Sequence, residues 1–109
     1  MRIFDLTIYT TKFEAIKSFY SRLGFNVVHE IPKNLVVYDL GSIELAFHTA
    51  EKDTTGLSIS VISDDLDSLI ETLKEDGVEV GKERPIHANF TGIELSDPQG
   101  NVVYVFRDK

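Results

Sequence analysis

LTIYTTKFEAIKSFYSRLGFNVV, residues 6–28, is answered in kind by LSISVISDDLDSLIETLKEDGVEV, residues 57–80. A shift of about fifty positions matches Leu6 and Ile8 with Ile59 and Val61, Phe13 with Leu66 and Ile16 with Leu69. The same shift matches Tyr20 with Leu73 and Gly24 with Gly77. Each copy reads as a half-apolar strand, a polar break, an amphipathic helix, a Gly stop and a second strand. A repeat of this size means two copies of one supersecondary unit, each with an apolar face to bury. Two related sheets facing each other would form a cleft, the natural place for a ligand.

Working outward, residues 2–10 alternate, with Phe4, Leu6 and Ile8 on one face and Asp5, Thr7 and Tyr9 on the other. Thr11-Lys12-Phe13-Glu14 has the form of a capping box, with Thr11 as N-cap. Phe13, Ile16, Phe19/Tyr20 and Leu23 recur at helical spacing before Gly24. Strands are predicted at Phe25–Glu30, Leu35–Leu40 and Ser42–His48, with a linker over 51–55. In the second copy Leu57, Ile59 and Val61 form one strand face, with Ser58 and Ser60 opposite. Ser63 or Asp64 caps a helix carrying Leu66, Leu69, Ile70 and Leu73. Further strands are predicted at Val78–Val80, Phe90–Leu95 and Val102–Phe106, the last two joined by Asp97-Pro98-Gln99-Gly100-Asn101. The expected fold is α+β: one domain over 1–109, made of a βαβββ module at 1–50, the linker, and a second module at 56–109.

Composition narrows the function. At 42% hydrophobic and 10% aromatic residues the chain has material for a real core. It has no Cys, which excludes thiol catalysis, zinc–cysteine sites and iron–sulfur clusters, and fits a reducing cytoplasm. No signal peptide or membrane span is indicated. The formal net charge of −7 argues against nucleic acid, which needs clustered Lys and Arg. Acidity can attract a cationic ligand. Its concentration around Asp64–Glu83, however, fits a solvated helix that keeps the protein soluble.

FYSRLGFNVV, SIELAF, DDLDSLIETLKEDGVEV and DPQGNVVYVF, in this order along the chain, resemble the vicinal oxygen chelate superfamily. That superfamily holds glyoxalase I, extradiol dioxygenases, and fosfomycin- and bleomycin-resistance proteins. The resemblance implies two βαβββ modules curling their mixed sheets into an incomplete barrel, helices outside and ligand inside. It also implies a homodimer.

Metal-using members place ligands on the first and last strand of each module, typically His or Gln, Glu, His and Glu. By resemblance these positions fall on Asp5, Glu44, Ser58 and Tyr104, and only Glu44 matches. Ser is a poor neutral ligand, and Tyr binds well only when deprotonated, far from its pKa near 10. Zinc- or iron-type centres want three or four converging imidazole or carboxylate donors. Asp5 and Glu44 alone make a weak cage for Mg or Ca. The expectation is therefore no metal and no cofactor, a divalent metal being the lesser alternative.

Asp5 and Glu44 have three readings: an acid–base pair, an acidic floor for a cationic ligand, or ion-paired groups at a solvated mouth. His48 shares strand parity with Glu44, so it is either a hydrogen-bonding or proton-transfer group of the cleft or a polar strand end. With them, Glu44, Asp5 and His48 are the catalytic candidates if there is catalysis. His87 is read as a loop residue that can overhang the site, and His29 as peripheral. Tyr9, Phe90, Tyr104 and Phe106 are candidates for an apolar, stacking surface, whereas Phe47 reads as core. Thr7 and Ser58 complete the expected ligand-binding set. The function expected is a metal-free small-molecule binding protein for a partly aromatic or cationic ligand. The alternative is a metal-dependent, glyoxalase-like lyase, isomerase or dioxygenase with atypical ligands.

Overall fold

The computed structural model describes residues 5–55, 57–87 and 90–108, the side chain of His87 excepted. Phe4 therefore lies outside the described residues, as does the side chain of His87. The chain divides into two compact units, Met1–Thr55 and Gly56–Lys109.

The first unit runs β1 (Asp5–Thr10), α1 (Phe13–Arg22), β2 (Asn26–Ile31), β3 (Leu35–Asp39) and β4 (Glu44–Thr49). Its sheet order is β1-β4-β3-β2, with β1 parallel to β4 and the other pairs antiparallel. The helix carries the chain to the far edge, and the β2–β3–β4 meander brings it back beside its first strand. Phe13, Ile16, Phe19 and Tyr20 form the buried stripe of α1, at the spacing the sequence predicts. The Tyr20 ring packs on Phe47 at 4.6 Å, and Phe47 is fully buried. The Tyr38 hydroxyl lies 3.0 Å from Ser21 Oγ and donates to the Lys17 carbonyl at 3.0 Å, which bolts β3 to the helix. Burial pushes the Tyr38 phenol above its ordinary pKa.

The second unit repeats the plan: β5 (Ser58–Ser63), α2 (Leu66–Glu75), β6 (Arg84–His87), β7 (Phe90–Ser96) and β8 (Val102–Arg107). Its order is β5-β8-β7-β6, with β5 parallel to β8. Both helices end alike. Gly24 and Gly77 take positive φ of 93° and 77°, and the next residue's N–H reaches back, Phe25 to Tyr20 O and Val78 to Leu73 O. Between β7 and β8, the buried Asp97 carboxylate accepts from the N–H groups of Gln99 (3.0 Å) and Asn101 (2.9 Å). That satisfied charge organises the DPQGN turn.

Four local expectations are corrected. Val78–Val80 forms no strand; the second module's edge strand lies later, at Arg84–His87. His87 thus closes a strand. The N-cap of α1 is Lys12 with no side-chain cap bond; Thr11 is instead held by Asp53, through its N–H at 2.7 Å and its hydroxyl at 3.0 Å. The cap of α2 is Asp65, whose carboxylate accepts from Ser68 N at 3.2 Å, while Ser63 Oγ accepts from Asp65 N. In the 51–55 linker, Thr54 exchanges hydrogen bonds with both backbone groups of Tyr9. Among the described residues no helix is long and apolar enough to cross a membrane.

On the helix side of the second sheet, Arg107 at the end of β8 grips Glu83 (Nε and Nη2, both 2.8 Å) and Asp67 of α2 (2.8 and 3.3 Å). Hydrogen bonding to Arg107 holds both carboxyls below their usual range. A depressed carboxyl pKa stabilises the fold above its unfolded value, and that contribution is lost as pH falls through the folded value. Arg107→Gln should therefore lower Tm at neutral pH, and the gap to wild type should narrow as pH falls below the ordinary carboxyl range of about 4. A gap that stays constant over that range in thermal melts would contradict the clamp.

Candidate functional site

Alternation along each strand, together with the strand registers, sorts every side chain onto one of two faces. In the first unit Ile8, Phe47 and Val36 stand in one row and Leu45 and Tyr38 in the next, all buried on the α1 side. The opposite, helix-free face carries three rows: Asp5–Glu44–Asp39, Thr7–Ala46–Val37 and Tyr9–His48–Leu35. Asp5 and Glu44 are thus direct cross-strand neighbours, and Thr7 Oγ1 donates to Asp5 Oδ1 at 3.2 Å. Asp39 turns away to accept from Gly41 N at 2.8 Å. Tyr9 and His48 meet with ring centroids 6.0 Å apart. His48 Nδ1 lies 2.8 Å from the Thr49 carbonyl; since a carbonyl only accepts, Nδ1 carries a proton.

In the second unit Ile59, Val103 and Leu95, then Val61, Val105 and Ile93, form the α2 side. The helix-free face has the rows Ser58–Val102–Ser96, Ser60–Tyr104–Glu94 and Ile62–Phe106–Gly92–Arg84. Phe90, two residues before Gly92, shares this face. Its ring lies 5.3 Å from that of Phe106, and the Phe106 and Tyr104 rings are parallel to within 4° at 6.2 Å. The three rings form one continuous strip, with Phe106 buried and Phe90 and Tyr104 half-buried. Arg84 Nη2 donates to Glu94 at 3.0 Å beside it.

The fold thus brings together Asp5, Thr7 and Glu44; Tyr9 and His48; and Phe90, Tyr104 and Phe106. Ser58 stands apart from Tyr104. Ser58 pairs with Val102, and Tyr104 pairs with Ser60 one row on. In strand pairing Asp5 thus stands opposite Glu44, and Ser58 opposite Val102. Arg84, Glu94 and Gly92 escape the sequence reading. For Glu94 a signal existed, its parity with Phe90; for Arg84 none did, because its strand was assigned elsewhere. Gly92 marks a close approach, since a Cβ there would come within 2.2 Å of the Val105 carbonyl oxygen.

A metal of the kind the resemblance implies does not fit these residues. The donors at the four places are two carboxylates, a hydroxyl and a phenol, with no imidazole among them. Among the described residues no three His, Cys, Asp or Glu side chains group so as to hold a metal ion. A surface depression of about 390 Å³ at the start of α1, lined by Thr11, Phe13, Glu14, Lys33 and Thr49 among others, contains none of the expected residues.

Solved structures of similar fold span several chemistries. A bleomycin-binding protein complexed with bleomycin is 19% identical, with 100% of each chain covered and a TM-score of 0.74. Lactoylglutathione lyase from Agrobacterium tumefaciens is 19% identical, covering 97% of this chain and 92% of that one, at a TM-score of 0.74. The oxidase ChaP-H2 is 13% identical, covering 100% and 94%, at 0.78. At these identities the likeness is one of fold, and a fold shared by a binder, a lyase and an oxidase does not choose among them. No curated protein sequence matches the chain. The family model described as Glyoxalase/Bleomycin resistance protein/Dioxygenase superfamily matches residues 2–105. With the two βαβββ units, that match over nearly the whole chain makes this protein a member of the glyoxalase/bleomycin resistance/dioxygenase superfamily.

Proposed function

We propose that the protein binds a small molecule with a planar aromatic part, using the helix-free face of the second sheet, and that it does so without a resident metal. The observation that carries this reading is the strip Phe90–Phe106–Tyr104 on the face of the second sheet opposite to that facing α2. Ring stacking adds about 0.5–1.5 kcal/mol to the burial of apolar area. An aromatic strip on a sheet face offers that to any flat ligand. Fold likeness to a bleomycin-binding protein agrees with a binding role. Of the two ligand chemistries suggested by the sequence, the aromatic one has a surface suited to it. The cationic one rests on Asp5 and Glu44, with Thr7, Tyr9 and His48 on the same face of the first sheet.

The chemistry of the donor set supports metal-free action. Catalysis of the lyase or dioxygenase type needs an electrophilic ion with an open position, and the residues at the expected places are poor ligands for one. Titration with naphthylmethanol, followed by its fluorescence, tests both parts of the proposal. Tyr104→Ala should weaken binding about tenfold, or roughly 1.4 kcal/mol, while EDTA treatment should leave it unchanged. Equal affinity for the two proteins would refute the platform; loss of binding on metal removal, restored by Zn or Ni, would refute the metal-free reading.

We also propose that the protein works as a homodimer, following the resemblance to its superfamily. Sedimentation equilibrium should return twice the chain mass, and a monomer mass at micromolar concentration would reject this.

A further inference from the structure

The aromatic strip is bordered by an unevenly used pair of charges. Arg84 on β6 and Gly92 on β7 lie in the same row as Phe106, and Glu94 lies in the next row beside Tyr104. Gly92 contributes no side chain to that row. The two flanking strands are two strand spacings apart, roughly 10 Å. A fused two-ring system with one short substituent spans about that distance.

The unit holds two arginines with contrasting occupancy. Arg107, on the helix side, engages two carboxylates, Glu83 and Asp67, through three of its nitrogens. Arg84, on the helix-free side, donates one hydrogen bond from Nη2 to Glu94 and makes no other among the described residues. A guanidinium has five N–H donors in a planar fork matched to a planar oxyanion. Arg84 is thus able to keep Glu94 and take a second carboxylate, as Arg107 does. Both partners are about half exposed, at 54% and 44%, and an exposed pair of this kind costs little to rearrange. A cation offered to Glu94 would have to compete with Arg84, exchanging one ion pair for another. The net charge of −7 opposes an anion only weakly here, because at physiological salt the field decays over about 8 Å.

We infer that the platform ligand is a planar aromatic acid, its ring on the half-buried Tyr104 and its carboxylate on the guanidinium of Arg84. The inference rests on the platform reading of the second sheet and adds the charge of the ligand to it. Arg84 is then the residue that sets specificity.

The experiment compares naphthoate, neutral naphthylmethanol and naphthylmethylammonium by calorimetric titration on wild type, Arg84→Gln, Arg84→Lys, Glu94→Gln and Tyr104→Ala. Circular dichroism checks that each variant is folded. Naphthoate should bind at least tenfold tighter than naphthylmethanol to wild type. Arg84→Gln should bring that ratio near one, and Arg84→Lys should keep only part of it, since a point charge lacks the fork. Glu94→Gln should strengthen naphthoate severalfold by removing its competitor. A ratio near one in wild type, a ratio that survives Arg84→Gln, or a preference for the ammonium would overturn the inference while leaving the platform standing, provided Tyr104→Ala still weakens all three. If none of the three binds, or Tyr104→Ala changes nothing, the platform itself is wrong and the inference falls with it.

Discussion

The constraint on which the rest depends is the parallel pairing of first and last strand within each unit, β1 with β4 and β5 with β8. A parallel pair cannot be closed by a tight turn, so the chain must leave through a helix and return through a meander. The helix then covers one face of the sheet and the other is left without one. Because side chains alternate with a period of two, fixing the pair fixes which residues go under the helix and which do not. Ile8 and Phe47 are drawn under α1 together; Tyr9 and His48 go together to the other side. A slip of one residue in β8 would bury Tyr104 and Phe106 against α2 and expose Val103 and Val105. The buried tyrosine bolt between Tyr38 and α1 and the Arg107 clamp onto α2 both oppose such rearrangement, each from the helix side.

Much of this was legible because it is encoded locally and twice. Strand, helix and Gly stop fall at an offset of 53 in both copies, from Asp5 and Ser58 through Gly24 and Gly77. Past the glycines the offset changes: β4 begins at Glu44 and β8 at Val102, 58 residues apart. The second module therefore carries five more residues between helix and last strand. Val78–Val80 looked like a strand because it follows Gly77 as Phe25–Glu30 follows Gly24, yet it lies in that extra length. The caps were misread for a different reason. Thr11 satisfies its hydrogen bonds with Asp53, forty-two positions away, a partner that no local pattern announces.

The candidate site was legible to the same extent. Parity alone puts Tyr104 with Phe106 and Glu44 with His48, whereas bringing Asp5 beside Glu44, or Phe90 beside Phe106, takes the strand pairing. Motif counting places Ser58 and Tyr104 on the first and last strands of the second unit but not their register, and pairing sets them one row apart. Arg84 was invisible, since its position beside Gly92 depends on where the edge strand begins. The superfamily architecture is kept here, and of the places where the resemblance would put metal ligands only Glu44 is of the usual type. What the second sheet carries instead is a strip of rings with a half-used guanidinium beside it.

The central claim is that the helix-free face of the second sheet is the functional surface. Assigned NMR spectra of the aromatic and methyl groups, recorded as naphthoate is added, test it most directly. The account predicts the largest shift changes at Phe90, Tyr104 and Phe106, with Ile59, Leu66 and Val105 on the helix side nearly unmoved. Changes centred on α2, or on the depression at the start of α1 around Phe13 and Lys33, would contradict it.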